Sequence, residues 1–120
     1  EMFEKQAMTI CMLDISWVGG ISEAKRIASM AYAYHMPVAP HDCVGPVTLM
    51  FSVHLSLNAP NALIQETVRA YNNTWYKDIV DQLPRIENGF AYPPVGDGAG
   101  TNLLDSFLED PKTVVIGSDL

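Results

Sequence analysis

Pro37-Val38-Ala39-Pro40-His41-Asp42-Cys43-Val44-Gly45-Pro46 is the stretch on which the reading of this chain turns. A short apolar run stops on a histidine and then on a glycine-proline turn. In α/β proteins the loops that follow strands form the ligand site, so a strand ending in His sets a titratable imidazole at that rim. His41 is therefore the lead candidate residue.

Working outward from it, the flanking segments alternate between two periodicities. Upstream, residues 8–13 form a continuous apolar run of strand length that ends on Asp14, preceded by residues 1–7, which read as the tail of a helix. Gly19-Gly20 is a flexible turn, and Ser22 reads as an N-cap with Glu23 in the first turn, where the helix dipole favours negative charge. The spacing of Ile21, Ala24, Ile27, Ala28 and Ala31 predicts a helix over residues 22–34, which Pro37 prevents from continuing. Downstream, Pro46 sits at a favoured first helical position. The segment that follows alternates apolar Phe51, Val53, Leu55 and Leu57 with polar Ser52, His54, Ser56 and Asn58, a strand-like pattern when read alone. It is read as a buried helix, partly on the resemblance given below. Residues 62–66, Ala-Leu-Ile-Gln-Glu, are a third short strand, ending on Glu66.

After about residue 67 the style changes. Residues 75–80 read as one or two helical turns, Asn88-Gly89 signals a tight hairpin, and residues 93–100 are rich in turns. A last short helix is expected over residues 103–109, and Thr113-Val114-Val115-Ile116 has strand composition. Strands alternating with helices argue for a parallel α/β sheet with right-handed crossovers. Three apolar strands need both faces and edges covered, so the chain reads as part of something larger.

Composition narrows the class. The 120 residues are 48% apolar and 18% charged, enough for a core. Fourteen acidic against seven basic residues leave a formal charge of −7, which argues against nucleic acid as a partner. No apolar run reaches the roughly 18–20 residues of a membrane helix, and residues 1–5 lack the order of a secretion signal, so no membrane partner and a cytoplasmic location are expected. Cys11 and Cys43 stand in unrelated settings and read as two free thiols.

Three polar residues, Asp14, His41 and Glu66, end three successive strands and can converge on one pocket. Asp14 accepting from one nitrogen of His41 would fix its tautomer and raise its pKa, freeing the other nitrogen for proton transfer. Glu66 would act as a second acid or an electrostatic partner. The residues alone also allow blander roles: His41 capping a loop, Asp14 serving a turn, Glu66 solvated. His35 and His54 read as surface or packing residues. Gly98-Ala99-Gly100 is no phosphate loop, since no Lys-Ser or Lys-Thr follows it, and the spacing of His41, Asp42 and Glu66 matches no familiar zinc pattern.

Residues 12–24 (Met-Leu-Asp-Ile-Ser-Trp-Val-Gly-Gly-Ile-Ser-Glu-Ala), the Pro37-Val38-Ala39-Pro40-His41 run, Ala62-Leu63-Ile64-Gln65-Glu66 and Gly96-Asp97-Gly98-Ala99-Gly100-Thr101-Asn102-Leu103 together resemble the C-terminal third of the enolase superfamily, mandelate racemase subgroup. The resemblance covers nearly the whole chain. It implies strands six to eight of a modified eight-stranded α/β barrel of the TIM type, (β/α)8, over residues 1–70. Residues 71–120 would return to an N-terminal α+β capping domain that this chain does not contain. His41 and Asp14 would be the His–Asp dyad acting at the carbon next to a substrate carboxylate, and Glu66 the eighth-strand glutamate that hydrogen-bonds substrate or intermediate. Where the muconate lactonising branch has a lysine at the end of the sixth strand, this chain reads Asp14-Ile15-Ser16-Trp17, which favours the His–Asp branch.

The implied cofactor is Mg²⁺, with no ligand in this chain: its three carboxylates, and a second catalytic lysine, would lie on earlier strands. The implied function is Mg²⁺-dependent dehydration of a sugar acid through an enediolate, with homo-oligomeric assembly. Racemisation or epimerisation of a 2-hydroxy acid, and a non-catalytic binding or structural role, are the alternatives. Since such a barrel takes about 250 residues, these 120 alone are expected to be inactive.

Overall fold

The computed structural model describes residues 1–117; residues 118–120, the end of the expected return segment, lie outside them. In chain order the elements are α1 (Ile21–Ala33), α2 (Pro46–Asn58), α3 (Arg69–Asn73), a 3₁₀ turn (Trp75–Asp78), β1 (Ile86–Glu87), β2 (Phe90–Ala91) and α4 (Asp105–Leu108).

Three segments expected as strands run parallel, but they pair only at single residues, Cys11 with Val38 and Val38 with Ala62. Prolines explain how short the ladder is. Pro37 and Pro40 flank Val38 and have no N–H to donate, so the central segment supplies only the Val38, Ala39 and His41 donors. The hydrogen bonds that remain are regular on one side: Cys11 N–H to Pro37, Ala39 N–H to Cys11 and His41 N–H to Leu13, at 2.9, 3.0 and 2.8 Å. Alternation along the first segment buries Cys11, Leu13 and Ile15 while Met12 stays exposed.

α1 begins one residue earlier than expected. Its cap is Gly20, at φ 95°, with no side-chain hydrogen bond, so Ser22 lies inside the helix and does not cap it. At the other end His35 takes the left-handed conformation, φ 55°, and lets the Met36 N–H close back on the Ala31 carbonyl at 2.9 Å. Ala24, Ala28 and Ala31 pack inward with Val38, Leu55 and Ala59 to form the main core. α2 is helical despite its alternating pattern, because it is buried on several sides at once: Leu55 joins the main core, while Leu49 and Val53 meet Tyr76 in a second cluster.

Past α2 the chain is short elements held by side chains. α3 was not expected. The 3₁₀ turn supplies Trp75 and Tyr76, which pack with Tyr71 as an aromatic group with ring centroids 4.5–5.6 Å apart. The hairpin expected at Asn88-Gly89 is present: β1 pairs antiparallel with β2 around the two residues at φ 52° and 81°, as a turn of the I′ type requires. Arg85 lies 3.7 Å over the Tyr92 ring beside it. Asp81 ties down the turn-rich segment by accepting from the Asn102 main chain and side chain and from Thr101. Gly100 is required there, since a Cβ would stand 2.8 Å from that of Pro94 at φ 75°.

Three expectations are corrected. Residues 1–7 form turns, not a helix tail, because the chain has only local closures such as Lys5 N–H to Glu1 and Ala7 N–H to Met2. The last helix shrinks to α4. Residues 113–116 are not a strand: Val114, Val115 and Ile116 are exposed, and β-branched composition without a pairing edge does not make one.

Candidate active site

The parallel register builds the site. Asp14 and His41 each follow a bridged residue, Cys11 and Val38, by three positions, and Glu66 follows Ala62 by four. The extra residue is a bulge. Leu63 N–H donates to Val38 at 2.8 Å, so a regular ladder would next place Gln65 N–H on Pro40, yet that carbonyl accepts from Glu66 N–H at 3.3 Å. The slip sends the Gln65 side chain back, with its amide nitrogen donating to the Glu66 carbonyl at 2.8 Å and its amide oxygen accepting from Ser56. Glu66 is left to face the histidine.

All three residues singled out in the sequence therefore meet. His41 Nδ1 is 2.8 Å from Asp14 Oδ2, and since a carboxylate can only accept, Nδ1 carries the proton. The other Asp14 oxygen accepts the Ser16 N–H at 2.8 Å, which locks the carboxylate in place. Ser16 is fixed in turn by its hydroxyl, 2.5 Å from that of Thr48 in the first turn of α2. His41 Nε2 lies on the open side, 3.7 Å from Glu66 Oε2, and accepts from the Cys43 thiol, whose Sγ is 3.4 Å away. The Asp14 side chain is 8% exposed and that of His41 33%, so the acceptor is sheltered while the outer edge of the imidazole is accessible. The hydrogen bond from Asp14 raises the His41 pKa above its ordinary 6.5; burial opposes this, and the charges of Glu66, Asp14 and Asp42 add to it.

Asp42 is the residue whose role the sequence concealed. It is fully buried, accepts from the Tyr76 hydroxyl at 3.1 Å, and gives its main-chain N–H to Glu66 Oε2 at 3.1 Å. Burial pushes its carboxyl up to about 6, and Glu66 adds to that against the hydrogen bond from Tyr76. A partner 34 residues away leaves no local sequence signal. His54 also gains a role, 3.1 Å from the Ala99 carbonyl, joining α2 to the glycine-rich turn. His35 is exposed. Cys11 and Cys43 are free thiols, one buried and one exposed.

Among the described residues no group of three or more His, Cys, Asp or Glu side chains is placed to hold a metal ion. Both oxygens of Asp14 accept from donors, and Glu66 Oε2 from a peptide N–H, which leaves Glu66 Oε1 as the one carboxylate oxygen of the pair with no hydrogen-bond partner. A groove of about 720 Å³ between α2 and the hairpin, lined by Leu49, Val53, Leu63, Ile64 and Phe90, includes neither Asp14 nor His41. Among the described residues no helix is long and apolar enough to cross a membrane.

Comparison with known proteins agrees with this architecture. The chain is 34% identical over 102 residues to D-xylonate dehydratase of Haloferax volcanii, covering 85% of this chain and 24% of that protein. It superposes with a TM-score of 0.81 on an enolase of the mandelate racemase subgroup from Agrobacterium tumefaciens, 58% identical, covering 87% of this chain and 28% of that one. An enolase from Pantoea ananatis, whose crystal structure holds D-gluconate and Mg²⁺, is 26% identical with a TM-score of 0.79, over 86% of this chain and 25% of its own. The chain thus spans about a quarter of the length of these proteins, and the expected fold, a C-terminal part of the enolase-type barrel, stands. Residues 1–106 match the sequence model of one family. With that match over most of its length, the chain belongs to the Enolase C-terminal domain-like family.

Proposed function

We propose that this chain supplies the proton-transfer wall of a sugar-acid dehydratase whose remaining active-site residues lie elsewhere in a longer polypeptide. The observation that carries the reading is the 2.8 Å pair between His41 Nδ1 and Asp14 Oδ2, which leaves Nε2 unprotonated and accessible. His41 Nε2 takes the proton from the carbon next to the substrate carboxylate. As an imidazolium it gives a proton to the departing β-hydroxyl, which leaves as water, or returns one to carbon. Asp14 stabilises the charged imidazole, and Glu66 hydrogen-bonds substrate or intermediate from the far side of Nε2. In this proposal Mg²⁺ is held by carboxylates outside this chain, and every step assigned to residues of the chain is a proton transfer.

Residues 1–70 would be barrel and residues 71–120 the return to a capping domain. The similarity to D-xylonate dehydratase favours dehydration over racemisation, which shares the proton-abstraction step. The experiment is proton–deuterium exchange at the α-carbon of a panel of sugar acids in D₂O with Mg²⁺, using the complete polypeptide. Exchange or dehydration that falls by about 10²–10⁴ in His41→Asn, with folding intact, is the expected result. A His41→Asn protein that turns over normally would return His41 to a structural role.

A further inference from the structure

A buried carboxylate among other acids is costly, and Asp42 keeps one with Glu66 as a neighbour. Its Oδ1 accepts from Tyr76 at 3.1 Å, the Val68 N–H and the Thr67 side chain also lower its pKa, and the side chain has no exposure to solvent. Tyr76 is the anchor: its ring is fully buried in a cluster with Leu49 and Val53 and packed edge-on against Trp75. On the other side of Asp42, the peptide N–H grips Glu66 Oε2 at 3.1 Å. Glu66 stands 3.7 Å from His41 Nε2, too far for a hydrogen bond, so the histidine does not hold it. The peptide of Asp42 does.

We propose that Asp42 is a positioning residue, which with Tyr76 as its anchor sets the distance between Glu66 and the proton-transferring nitrogen of His41. The inference rests on the roles proposed above for His41 and Glu66. It links the returning segment to the reaction: the 3₁₀ turn holds the Asp42 side chain, Asp42 fixes its own peptide plane, and that plane aims the glutamate. The titratable and charged groups around Asp42 are His41 and Cys43 on its own loop, Glu66 on the neighbouring segment and Tyr76 beneath. Those facing His41 are Asp14, Glu66, Asp42 and Cys43.

The test is the NMR titration of His41 in the complete polypeptide, labelled at histidine and assigned with His41→Asn. Tyr76→Phe removes one hydroxyl and no charge. It is expected to lower the His41 midpoint by about 0.3–0.5 pH unit, a two- to threefold loss of proton affinity, because Glu66 drifts from the imidazole. In a Glu66→Gln background the same substitution should add nothing. An unchanged midpoint in a folded Tyr76→Phe protein overturns the proposal. So does an equal fall in both backgrounds, which would assign the effect to the charge of Asp42. If Tyr76→Phe does not fold, Asp42→Asn decides, since its amide oxygen still accepts from Tyr76. It loses the charge of Asp42 and keeps the tether, so a fall smaller than that of Asp42→Ala, which loses both, supports the tether, and equal falls refute it. No substrate is needed, so failure of the exchange experiment would remove the dehydratase reading and leave this measurement standing.

Discussion

Asp14→Asn changes one atom and should misplace one proton. In the native site Asp14 accepts twice, from Ser16 N–H and from His41 Nδ1, each at 2.8 Å. An asparagine has one acceptor and one donor end. Keeping its oxygen on Ser16 turns the amide N–H₂ toward Nδ1, which must then accept. The neutral imidazole would carry its proton on Nε2, the nitrogen that has to be bare. The protein can restore the tautomer by flipping the amide, but then two N–H groups face each other near Ser16. Leaving that donor unsatisfied costs about 1–3 kcal/mol, which at 1.4 kcal/mol per decade is roughly 5- to 150-fold in rate. Losing the carboxylate opposite a forming imidazolium adds about one more decade, the gap between charged and neutral hydrogen bonds. The sum is a fall of about 10²–10³ in α-proton exchange in a protein that still folds. Deuterium incorporation followed by ¹H NMR measures it directly. Exchange within threefold of wild type in a folded Asp14→Asn protein would show that Asp14 does not set the tautomer.

Other outcomes follow from the same structure. Asp14 raises the His41 pKa above 6.5, so the charge pairing between them contributes fully below about pH 6.5 and is lost as pH rises through the raised value. Urea unfolding of Asp14→Asn against wild type should show a larger deficit at pH 6 than at pH 9, and equal deficits would contradict the pairing. Leu49 has no exposed surface and packs against Val53 and Tyr76, so Leu49→Ala should cost about 2–5 kcal/mol in the same assay. A loss under 1 kcal/mol would mean that the second cluster is not a core. Gly100→Ala should lower the melting temperature by several degrees, because its Cβ meets Pro94 at 2.8 Å, and a wild-type melting curve would refute that clash.

The sequence was most legible where chemistry and periodicity coincide. Asp14, His41 and Glu66 stood out because polar residues closing apolar runs are rare and parallel strands bring their ends together. α2 was ambiguous for a physical reason: a helix buried on several sides has no single apolar stripe, and its residues can alternate by accident. Ser22 was mistaken for a cap because capping chemistry was visible and the positive φ of Gly20 was not. The strands came out shorter than read because Pro37 and Pro40 flank Val38 in the central segment and thin its donors. Asp42 was opaque since nothing local marks a carboxylate whose partner is a tyrosine on a distant turn. The bulge at Gln65 was hidden as well, although it decides which of two adjacent residues meets the histidine.

The alignment of the imidazole with the two carboxylates is written in the main chain. Carbonyls of Cys11, Leu13, Val38 and Pro40 set the level of the three chain ends, and each of those contacts involves atoms that every residue type but proline possesses. Side chains in the core can therefore drift over evolutionary time without moving Nε2 relative to the carboxylates, provided that the ladder keeps count. Insertions are another matter. One residue gained or lost between Cys11 and Asp14, or between Val38 and His41, would rotate a functional group to the opposite side of its strand. Mutational tolerance in this chain should thus be generous to substitution and severe on length, with the loops beyond the ladder free to vary and so to choose the ligand.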